Sequence, residues 1–521
     1  MPEYLSPGVY IEEVRSGPVP IEGVGTSTAG FVGQTLRGPL APRLVSSFVQ
    51  FERWYGGLTD TSMSFLSWAV QGFFANGGQR AFVARVPRGG AGTAQLALDP
   101  LVISAIGPGS FGNNIFVRVQ NATQQGFRLT VIYYDRPPDP FENDPFNRDI
   151  PIVRRPQPDA TEDWDNLSID PDDTSYVLTT VNGSSTLVEL GWSDGPARPA
   201  NVAFVDARLD GGEDGADDPE VDDYVGQAAS ADDPATGLRA LELIDEIALL
   251  CIPDEVKGPL TQLSELLLQQ CERLKDRFAV LQFPQNQSDI NSLVIDRPSL
   301  YGAKYWPWIR VFDPRNQGTQ LVPPGGHVLG IYARTDILRG VHKAPANEDV
   351  RGIVTRDLPG PGMRGPLEYK ITKEDHDILN PRGVNVIRDF RADGRGIRVW
   401  GARTVADDAQ WRYVNVRRLF IYLEESIDEG TQFVVFEPNY EPTWAIVRRS
   451  ITNFLTRVWR DGALAGITPE EAFFVKCDRT TMTQDDIDNG RLICLVGVAP
   501  VKPAEFVIFR FSQKTIEAQA A

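Results

Sequence analysis

The sequence predicts a mixed α/β protein built from several domains, and three observations support that class. The chain has 521 residues, of which 42% are apolar and 23% charged, a composition typical of a globular protein too long for one hydrophobic core. Helical periodicity alternates with short buried strand patterns, which favours a mostly parallel sheet covered by helices. Strict alternation of apolar and polar residues occurs around Ile115, Val117 and Val119, which predicts a separate, inserted β-region.

The two ends of the chain carry strand-like segments beside residues that break regular structure. The first 20 residues form an N-terminal arm that includes Val9, Tyr10, Ile11 and Glu12, and residues 506–521 form a C-terminal arm that begins Phe506, Val507, Ile508, Phe509. An unpaired strand edge can add the backbone of another molecule. We therefore expect both arms to pair with neighbouring copies of the chain, which is the behaviour of an assembly protein.

The central α/β domain is predicted to comprise residues 21–95 and 237–385. Buried apolar runs predict strands, and apolar residues at helical spacing predict helices. The expected elements are strands at 26–33, 81–86, 278–283 and 330–334, and helices at 62–75, 238–250 and 260–274.

An inserted β-rich domain is predicted over residues 96–236, with strands beginning at Ile115 and at 127–134 and 174–190. Residues 136–173 are rich in Pro and Asp and predict an exposed excursion. Residues 210–233 are strongly acidic. A solvated linker is the favoured interpretation of this acidic loop, and a cation site is the alternative, although its spacing fits no EF-hand loop.

Residues 386–505 are predicted to form a C-terminal α/β domain. It includes a long amphipathic helix whose apolar stripe contains Trp444, Val447, Ile451, Phe454, Leu455 and Val458. The expected elements are helices at 414–428 and 443–461, strands at 433–436, 472–477 and 491–498, and a turn at 485–490.

Charge and cysteine content restrict the environment and the partners. The net charge is −19, so a nucleic-acid partner is not expected. The start of the chain has no pattern of a signal peptide, no apolar run reaches the length of a membrane span, and direct membrane insertion is not expected. The four cysteines form no close pair and lie mostly among apolar neighbours, which favours buried reduced thiols over a disulfide or metal framework and fits a reducing cytoplasm.

No motif predicts a catalytic, cofactor or metal site. Gly107, Gly109 and Gly112 spell GxGxxG, but a strand pattern follows where a dinucleotide site requires a helix. The segment around His327 resembles the histidine-bearing segment of subtilisin-like proteases. The Gly-Thr-Ser run at 25–27 lies upstream of it, in the wrong order and context for their nucleophile. We expect a structural His327, and a subtilisin-like serine hydrolase remains an alternative function.

Several segments, taken in order, resemble the contractile tail sheath proteins of phage tails, R-type bacteriocins and contractile injection systems. Any one of them is weakly specific, but together they cover most of residues 1–110 and 237–512. They are Ser6-Pro7-Gly8-Val9-Tyr10-Ile11-Glu12-Glu13, Pro108-Gly109-Ser110-Phe111-Gly112-Asn113, Tyr305-Trp306-Pro307-Trp308, Val322-Pro323-Pro324-Gly325-Gly326-His327, Arg339-Gly340-Val341-His342-Lys343-Ala344-Pro345, Asn380-Pro381-Arg382-Gly383, Val399-Trp400-Gly401-Ala402-Arg403-Thr404 and Phe436-Glu437-Pro438-Asn439.

The resemblance implies a central domain of subtilisin-like topology without catalytic residues, an outer inserted domain, a C-terminal domain that faces an inner tube, and terminal arms that exchange strands between subunits. It implies that the chain is not an enzyme and needs no cofactor. The implied partners are further copies of the chain in a helical polymer, an inner tube protein, and baseplate and tail-terminator proteins. Assembly is expected in the bacterial cytoplasm, followed by incorporation into a phage tail or a tail-like particle.

The long helix of the C-terminal domain also carries a concentration of basic residues in an acidic protein. Arg449, Arg457 and Arg460 lie off its apolar stripe and Arg448 lies at the margin. We expect these arginines to contact the tube. Pairing within the chain is the competing interpretation, and the helix of Arg417 and Arg418 is a rival contact surface. A monomeric binding module that uses the inserted domain is a further alternative function.

Overall fold

The computed structural model describes residues 20–230, 234–357 and 365–510. It divides into a central unit, residues 25–417, and a C-terminal unit that combines residues 418–521 with residues 1–24 at the other end of the chain. The division falls after Arg417, further along the chain than the predicted boundary at residue 386. The reason is that two strands beyond residue 383 still belong to the main sheet of the central unit.

The strands of the described residues are β1 Ala29–Gly33, β2 Arg43–Val45, β3 Ala81–Arg85, β4 Gln95–Leu98, β5 Leu101–Ala105, β6 Ile115–Asn121, β7 Phe127–Tyr133, β8 Ala160–Leu167, β9 Val188–Trp192, β10 Leu249–Cys251, β11 Phe278–Gln282, β12 Gly302–Trp306, β13 Ile309–Asp313, β14 Gly318–Val322, β15 Glu348–Asp349, β16 Val384–Asp389, β17 Ile397–Val399, β18 Phe473–Lys476 and β19 Leu495–Val498.

The α-helices of the described residues are α1 Phe48–Tyr55, α2 Leu66–Ala75, α3 Val177–Asn182, α4 Val221–Val225, α5 Gly237–Glu242, α6 Leu263–Leu274, α7 Gly325–Arg339, α8 Lys373–Leu379, α9 Val414–Thr431, α10 Glu441–Arg460, α11 Pro469–Ala472 and α12 Gln484–Asp488. No helix in these ranges has the length and apolar character needed to cross a bilayer.

A twisted sheet is the centre of the central unit. Among the described residues it contains nine strands in the order β15-β17-β16-β12-β11-β10-β1-β3-β2. The six strands from β16 to β3 in this order pair in parallel, and antiparallel strands complete both edges. The inner strands β1 and β11 are buried along their whole length, as their continuous apolar runs require in a sheet covered on both faces. The predicted mixed α/β class is therefore confirmed.

Helix α7 replaces the strand predicted at 330–334, so that prediction was wrong. The run Gly330-Ile331-Tyr332-Ala333-Arg334 lies inside α7, where nearly every residue is buried. Periodicity does not separate a buried helix from a buried strand, and this helix is buried almost all round. Its glycines allow close packing against α2, since a Cβ on Gly326 would be 2.2 Å from the carbonyl oxygen of Ala69.

The inserted region contains two antiparallel sheets, each of three strands in the part of the chain that the structure describes, ordered β4-β5-β9 and β6-β7-β8. Their facing apolar side chains form one core that includes Ile103, Val117 and Leu129. Two predictions were wrong in detail. Residues 177–182 of the expected strand region form α3, and the expected excursion at 136–173 contains β8, which pairs with β7.

Much of the acidic stretch is built into the fold instead of forming a free linker. Isolated bridges join Asp217 to Gly89, Glu213 to Gly92 and Asp210 to Gln95. The side chain of Tyr224 is fully buried, and its hydroxyl donates to the buried carboxylate of Asp254 over 3.0 Å. Within the described ranges, no group of three or more potential ligand side chains is placed to hold a metal ion.

Three further local predictions were wrong. The helix expected at 238–250 ends at Glu242, and the residues from Leu249 onward form β10. The strand expected at 433–436 is replaced by a 3₁₀ turn at Gln432–Val434, and the turn expected at 485–490 contains the short helix α12. In the C-terminal unit, the helix at 443–461 is confirmed as α10, and the strands at 472–477 and 491–498 are confirmed as β18 and β19.

Candidate functional site

The apolar stripe of α10 packs into the C-terminal unit as its spacing predicts. Trp444 is 1% exposed and Leu455 is fully buried, and the residues of the stripe recur every three or four positions. The opposite face carries the arginines. The helix therefore has one face fixed in a core and one face free to present charge.

Two of the four predicted contact arginines are used inside the unit. Arg448 donates from its guanidinium to the carbonyl oxygen of Cys477 over 2.8 Å, which ties α10 to the end of β18. Arg457 donates to the carbonyl oxygen of Ile21. Both hydrogen bonds satisfy the carbonyls of buried residues, which would otherwise lack a partner. Arg448 and Arg457 therefore stabilise the fold of the isolated chain.

Arg449 and Arg460 are exposed and, unlike the equally exposed Arg457, donate no hydrogen bond to another group of the described residues. Neither has a carboxylate within 4.0 Å among the described residues, so ion pairing within the chain receives no support for these two arginines. Eleven residues separate them, which is close to three helical turns and places them on one stripe, about 16 Å apart. They form an unneutralised basic stripe on an acidic protein.

The rival surface at Arg417 and Arg418 is buried in the described chain. Arg417 is 4% exposed and its guanidinium lies over the rings of Tyr301 and Trp411, 4.7 and 4.9 Å from their centroids. Arg418 is 3% exposed. Neither guanidinium is placed on the surface, so these two residues do not form an exposed basic patch.

The hairpin of β18 and β19 is an incomplete sheet. Among the described residues it has two strands, so both outer edges lack a neighbouring strand. Phe474 and Leu495 are 56% and 50% exposed. The ring of Phe474 covers Gly497 on the opposite strand, where an added Cβ would be 2.2 Å from Cε1. The hairpin therefore offers two backbone edges beside exposed apolar side chains.

The segment after the hairpin is extended chain rich in exposed apolar residues. Phe506, Val507, Ile508 and Phe509 are between 68% and 77% exposed and lie in no helix or strand of the isolated chain. Four consecutive side chains of this kind are unfavourable in water. They are suited to burial against a partner.

The root of the N-terminal arm is held by the C-terminal unit. Ile21 is fully buried, and a Cβ on Gly430 of α9 would be 2.6 Å from its Cγ2. The amide of Val24 donates to the Ser426 hydroxyl over 3.1 Å. The predicted pairing residues Val9, Tyr10, Ile11 and Glu12 lie outside the described residues. Both arms thus join the chain at the same compact unit.

Phe436 is a surface feature that the sequence analysis missed. Its side chain is fully exposed, and its φ of +69° is in the left-handed region, which costs a non-glycine residue energy. No local sequence signal marks this conformation, because Phe is not a residue type that favours the left-handed region.

His327 lies in the packed interface between α2 and α7. Burial lowers its pKa to about 3, so the ring is neutral, and its Nδ1 has no hydrogen-bond partner in the part of the chain that the structure describes. A catalytic histidine needs a positioned nucleophile and an orienting partner within hydrogen-bond reach. The geometry around His327 instead fits a packing role, as the sequence predicts.

Comparison with known proteins identifies related sequences and related folds. The family model of the phage tail sheath protein central domain matches residues 227–405, and that of the phage tail sheath C-terminal domain matches residues 406–514. The chain is 26% identical over 211 residues to the tail sheath protein of Vibrio phage KVP40, covering 40% of this chain and 29% of that protein. It is 27% identical over 197 residues to that of Burkholderia phage BcepMu, covering 36% and 37%.

The aligned segments thus span well under half the length of these curated relatives. Solved structures match over the whole chain. The sheath complex of the extracellular contractile injection system PVC, in its contracted state, aligns with a TM-score of 0.58 at 23% identity and covers 100% of both chains. The contracted helical sheath of the anti-feeding prophage aligns at 0.57 and 24% identity, covering 98% of this chain and 100% of that one. The chain belongs to the phage tail sheath protein family.

Proposed function

We propose that this chain is the structural subunit of a contractile sheath. Copies polymerise around an inner tube, and contraction to a denser lattice drives the tube through a target envelope. The observation that carries this proposal is the combination of an incomplete two-stranded sheet with the exposed apolar segment 506–509 in one unit. A lone hairpin is marginal in water, and a sheet edge beside apolar side chains binds an added strand.

The C-terminal arm supplies one such strand to a neighbouring copy. Successive side chains of a strand point to opposite faces, so Phe506 and Ile508 share one face and Val507 and Phe509 share the other. The nine residues 502–510 can extend about 30 Å, which is enough to reach beyond their own unit. The N-terminal arm, with Val9, Tyr10, Ile11 and Glu12, supplies a strand to another edge. Its fixed root at Ile21 and Val24 supports this role.

The basic stripe of α10 is the tube contact in this proposal. Arg449 and Arg460 provide exposed charge that no described group of the chain engages, while Arg448 and Arg457 hold the helix in place and contribute their remaining donors. Exposed ion pairs contribute only roughly 0–1 kcal/mol each. Weak contacts repeated over many subunits hold the extended sheath on an acidic tube surface and release together when the lattice changes.

The central unit provides the scaffold, with a subtilisin-like topology in which the His327 segment serves packing. The energy of contraction is stored in the lattice as two packings of the same subunits. Baseplate and tail-terminator proteins cap the two ends of the polymer. The subunits assemble in the bacterial cytoplasm and then form part of a phage tail or tail-like particle.

The test is assembly of the purified full-length chain, with and without its tube protein, imaged by negative-stain electron microscopy. We expect hollow ridged cylinders of uniform width. Ile508→Pro removes a ladder donor from the arm, so it should abolish the cylinders, whereas Ile508→Thr keeps the strand preference and should retain them. Small isolated particles at high concentration, even with the tube protein present, would contradict the proposal. Equal assembly of both Ile508 variants would contradict the proposal that the C-terminal arm adds a strand to a neighbouring copy.

A further inference from the structure

Two cysteines that are distant in sequence meet at the end of the β18–β19 hairpin. The antiparallel register pairs Phe473 with Val498 and continues to Lys476 with Leu495. The next pair along the same register is Cys477 with Cys494. Sequence spacing alone gives no indication of this pair, because spacing does not reveal the register of two strands.

The type of this pair follows from one hydrogen bond. The amide of Ala499 donates to the carbonyl oxygen of Ala472 over 2.8 Å, which makes that pair a hydrogen-bonded one. Hydrogen-bonded and non-hydrogen-bonded pairs alternate along an antiparallel ladder. Counting from Ala472 and Ala499, Cys477 and Cys494 occupy a non-hydrogen-bonded position, where the Cα atoms are roughly 4.5 Å apart. Disulfides span Cα separations of about 4.4–6.8 Å.

The side chains agree with the register. Cys477 is fully buried in a small cluster with Trp444 and Met482, and the half-buried Cys494 packs against the same cluster. Interaction with the Cys477 thiol and with the nearby Arg448 guanidinium lowers the pKa of Cys494. Cys494 is also the more accessible of the two residues, so its sulfur is the one that a dissolved disulfide reaches first. The other two cysteines, Cys251 and Cys271, are fully buried in the central unit.

We propose that Cys477 and Cys494 form a thiol–disulfide redox site that joins β18 to β19 covalently when a low-molecular-weight disulfide, such as oxidised glutathione, is present. The site lies within one subunit. This proposal goes beyond sheath function, and its test does not depend on whether the chain polymerises.

The chemistry is thiol–disulfide exchange in two steps. The Cys494 thiolate attacks one sulfur of oxidised glutathione, which forms a mixed disulfide on Cys494 and releases one glutathione thiolate. Cys477 then loses its proton to solvent and attacks the Cys494 sulfur, which forms the bond between the two cysteines and releases the second glutathione. Two protein thiols are oxidised, and one glutathione disulfide is reduced to two thiols.

The product closes a covalent loop over residues 478–493, which include α12. A cross-link at this position prevents the two strands from separating at the end farthest from Ala472 and Ala499. The hairpin then keeps its register under oxidising conditions, and the carbonyl of Cys477 remains in place for Arg448.

The experiment uses the full-length chain, equilibrated with oxidised and reduced glutathione at a series of ratios. Intact mass, thiol titration and peptide mapping without reduction give the readouts. We expect two of the four thiols to disappear, with the mass loss of two hydrogens and a cross-linked peptide pair that contains Cys477 and Cys494. The oxidised chain should have the higher melting temperature, because a cross-link restricts the unfolded chain.

Variants separate the steps. Cys477→Ala should leave glutathione attached to Cys494 as a stable mixed disulfide, and Cys251→Ala should form the cross-link as the unaltered chain does. The proposal is overturned if the unaltered chain keeps all its thiols. It is also overturned if the chain accumulates glutathione adducts without a cross-link, or forms disulfides only between separate chains.

Discussion

The imidazole of His327 occupies the space that any side chain at Gly72 would need. A Cβ on Gly72 would be 2.2 Å from Nδ1 and 2.3 Å from Cε1 of His327. The same close packing continues along the two helices, since a Cβ on Gly330 would be 2.4 Å from the carbonyl oxygen of Phe73. Helices α2 and α7 therefore approach each other only because these positions carry no side chain.

Gly72→Ala should lower the free energy of unfolding of the central unit by about 1–3 kcal/mol, because an added methyl forces packed groups apart. Gly57→Ala is the matched control, since nothing lies within 4 Å of its added Cβ. Urea unfolding followed by fluorescence measures both. His327→Ala in the Gly72→Ala background should cost less than the two single changes added together. If the losses of stability in the two single variants simply add in the double variant, the contact between position 72 and His327 is contradicted.

Glu255 should make stability fall as the pH rises through the acid-to-neutral range. Its carboxylate accepts hydrogen bonds from the Ser264 hydroxyl over 2.7 Å and the Gln282 amide over 2.8 Å. Burial nevertheless raises its pKa from 4.5 to about 7. The folded chain thus holds this proton more tightly than the unfolded chain. The stability from this group is complete below about pH 4.5 and is lost as the pH rises to about 7.

The expected loss from Glu255 is on the order of 3 kcal/mol, and it should be largely absent in Glu255→Gln. In Glu255→Gln, the oxygen of the new side-chain amide can still accept from the backbone N–H of Gln282, and its NH₂ group can donate to the Ser264 hydroxyl. Glu265→Gln, at an exposed position on α6, makes the same carboxylate-to-amide change and is the control. Unfolding free energies between pH 4.5 and 8 measure the effect. Parallel curves for the unaltered chain and Glu255→Gln would show that the carboxylate is ionised throughout.

Charge reversal on the exposed stripe of α10 should weaken binding to the tube without unfolding the C-terminal unit. Arg449→Glu and Arg460→Glu should each reduce sheath formation on the tube, and the double variant should reduce it most, with an effect that grows at low salt. Arg479→Glu makes the same charge change at another exposed position of that unit and should assemble normally. Sedimentation of tube-bound sheath measures this. Unchanged sedimentation of the double variant would exclude the stripe as the tube contact.

Arg457→Gln should behave differently, because it removes the donor that holds the Ile21 carbonyl. We expect faster proteolysis near residue 20 in the isolated chain, with the melting temperature of the central unit unchanged. Arg460→Gln, which has no such acceptor in the described chain, is the control. Equal proteolysis of the two variants would show that the root of the arm is held by other contacts.

Phe436→Gly should slightly stabilise the isolated chain, by up to about 1 kcal/mol, since glycine adopts the left-handed conformation without the cost that Phe436 pays at φ +69°. Phe474→Gly should instead destabilise the hairpin, because the ring of Phe474 covers Gly497. Calorimetry of the two variants separates these outcomes. A destabilised Phe436→Gly would reveal packing that the exposed ring does not suggest.

The sequence predicts the parts of this fold whose apolar pattern is unambiguous. The helical stripe of α10 and the apolar runs of β1 and β11 are of this kind, and the structure confirms them. It fails for 330–334, because a helix buried almost all round has no polar face to reveal its period. It also fails for β8, whose sequence Ala-Thr-Glu-Asp-Trp-Asp-Asn-Leu is too polar to suggest a strand until β7 is known to pair with it.

The candidate site shows the same division. The four arginines and the apolar tail could be found from composition and spacing. The distinction between Arg448, which holds the Cys477 carbonyl, and Arg449, which is exposed, could not. It depends on where one hairpin sits against one helix, a tertiary relationship with no local signature. The pairing of Cys477 with Cys494 is hidden for the same reason.

Ile21 and Val24 are anchored on the C-terminal unit, and the segment 502–510 belongs to the same unit. This arrangement has a mechanical consequence. A tension applied to the two ends of the chain enters and leaves through that unit, so the load path does not pass through residues 25–417. The sheet and the inserted region can then differ in size or composition between related chains without changing the part that carries the tension. Force spectroscopy that pulls on the two ends should first extract the short arm root from α9 and α10, at a force set by the Arg457 and Ser426 hydrogen bonds.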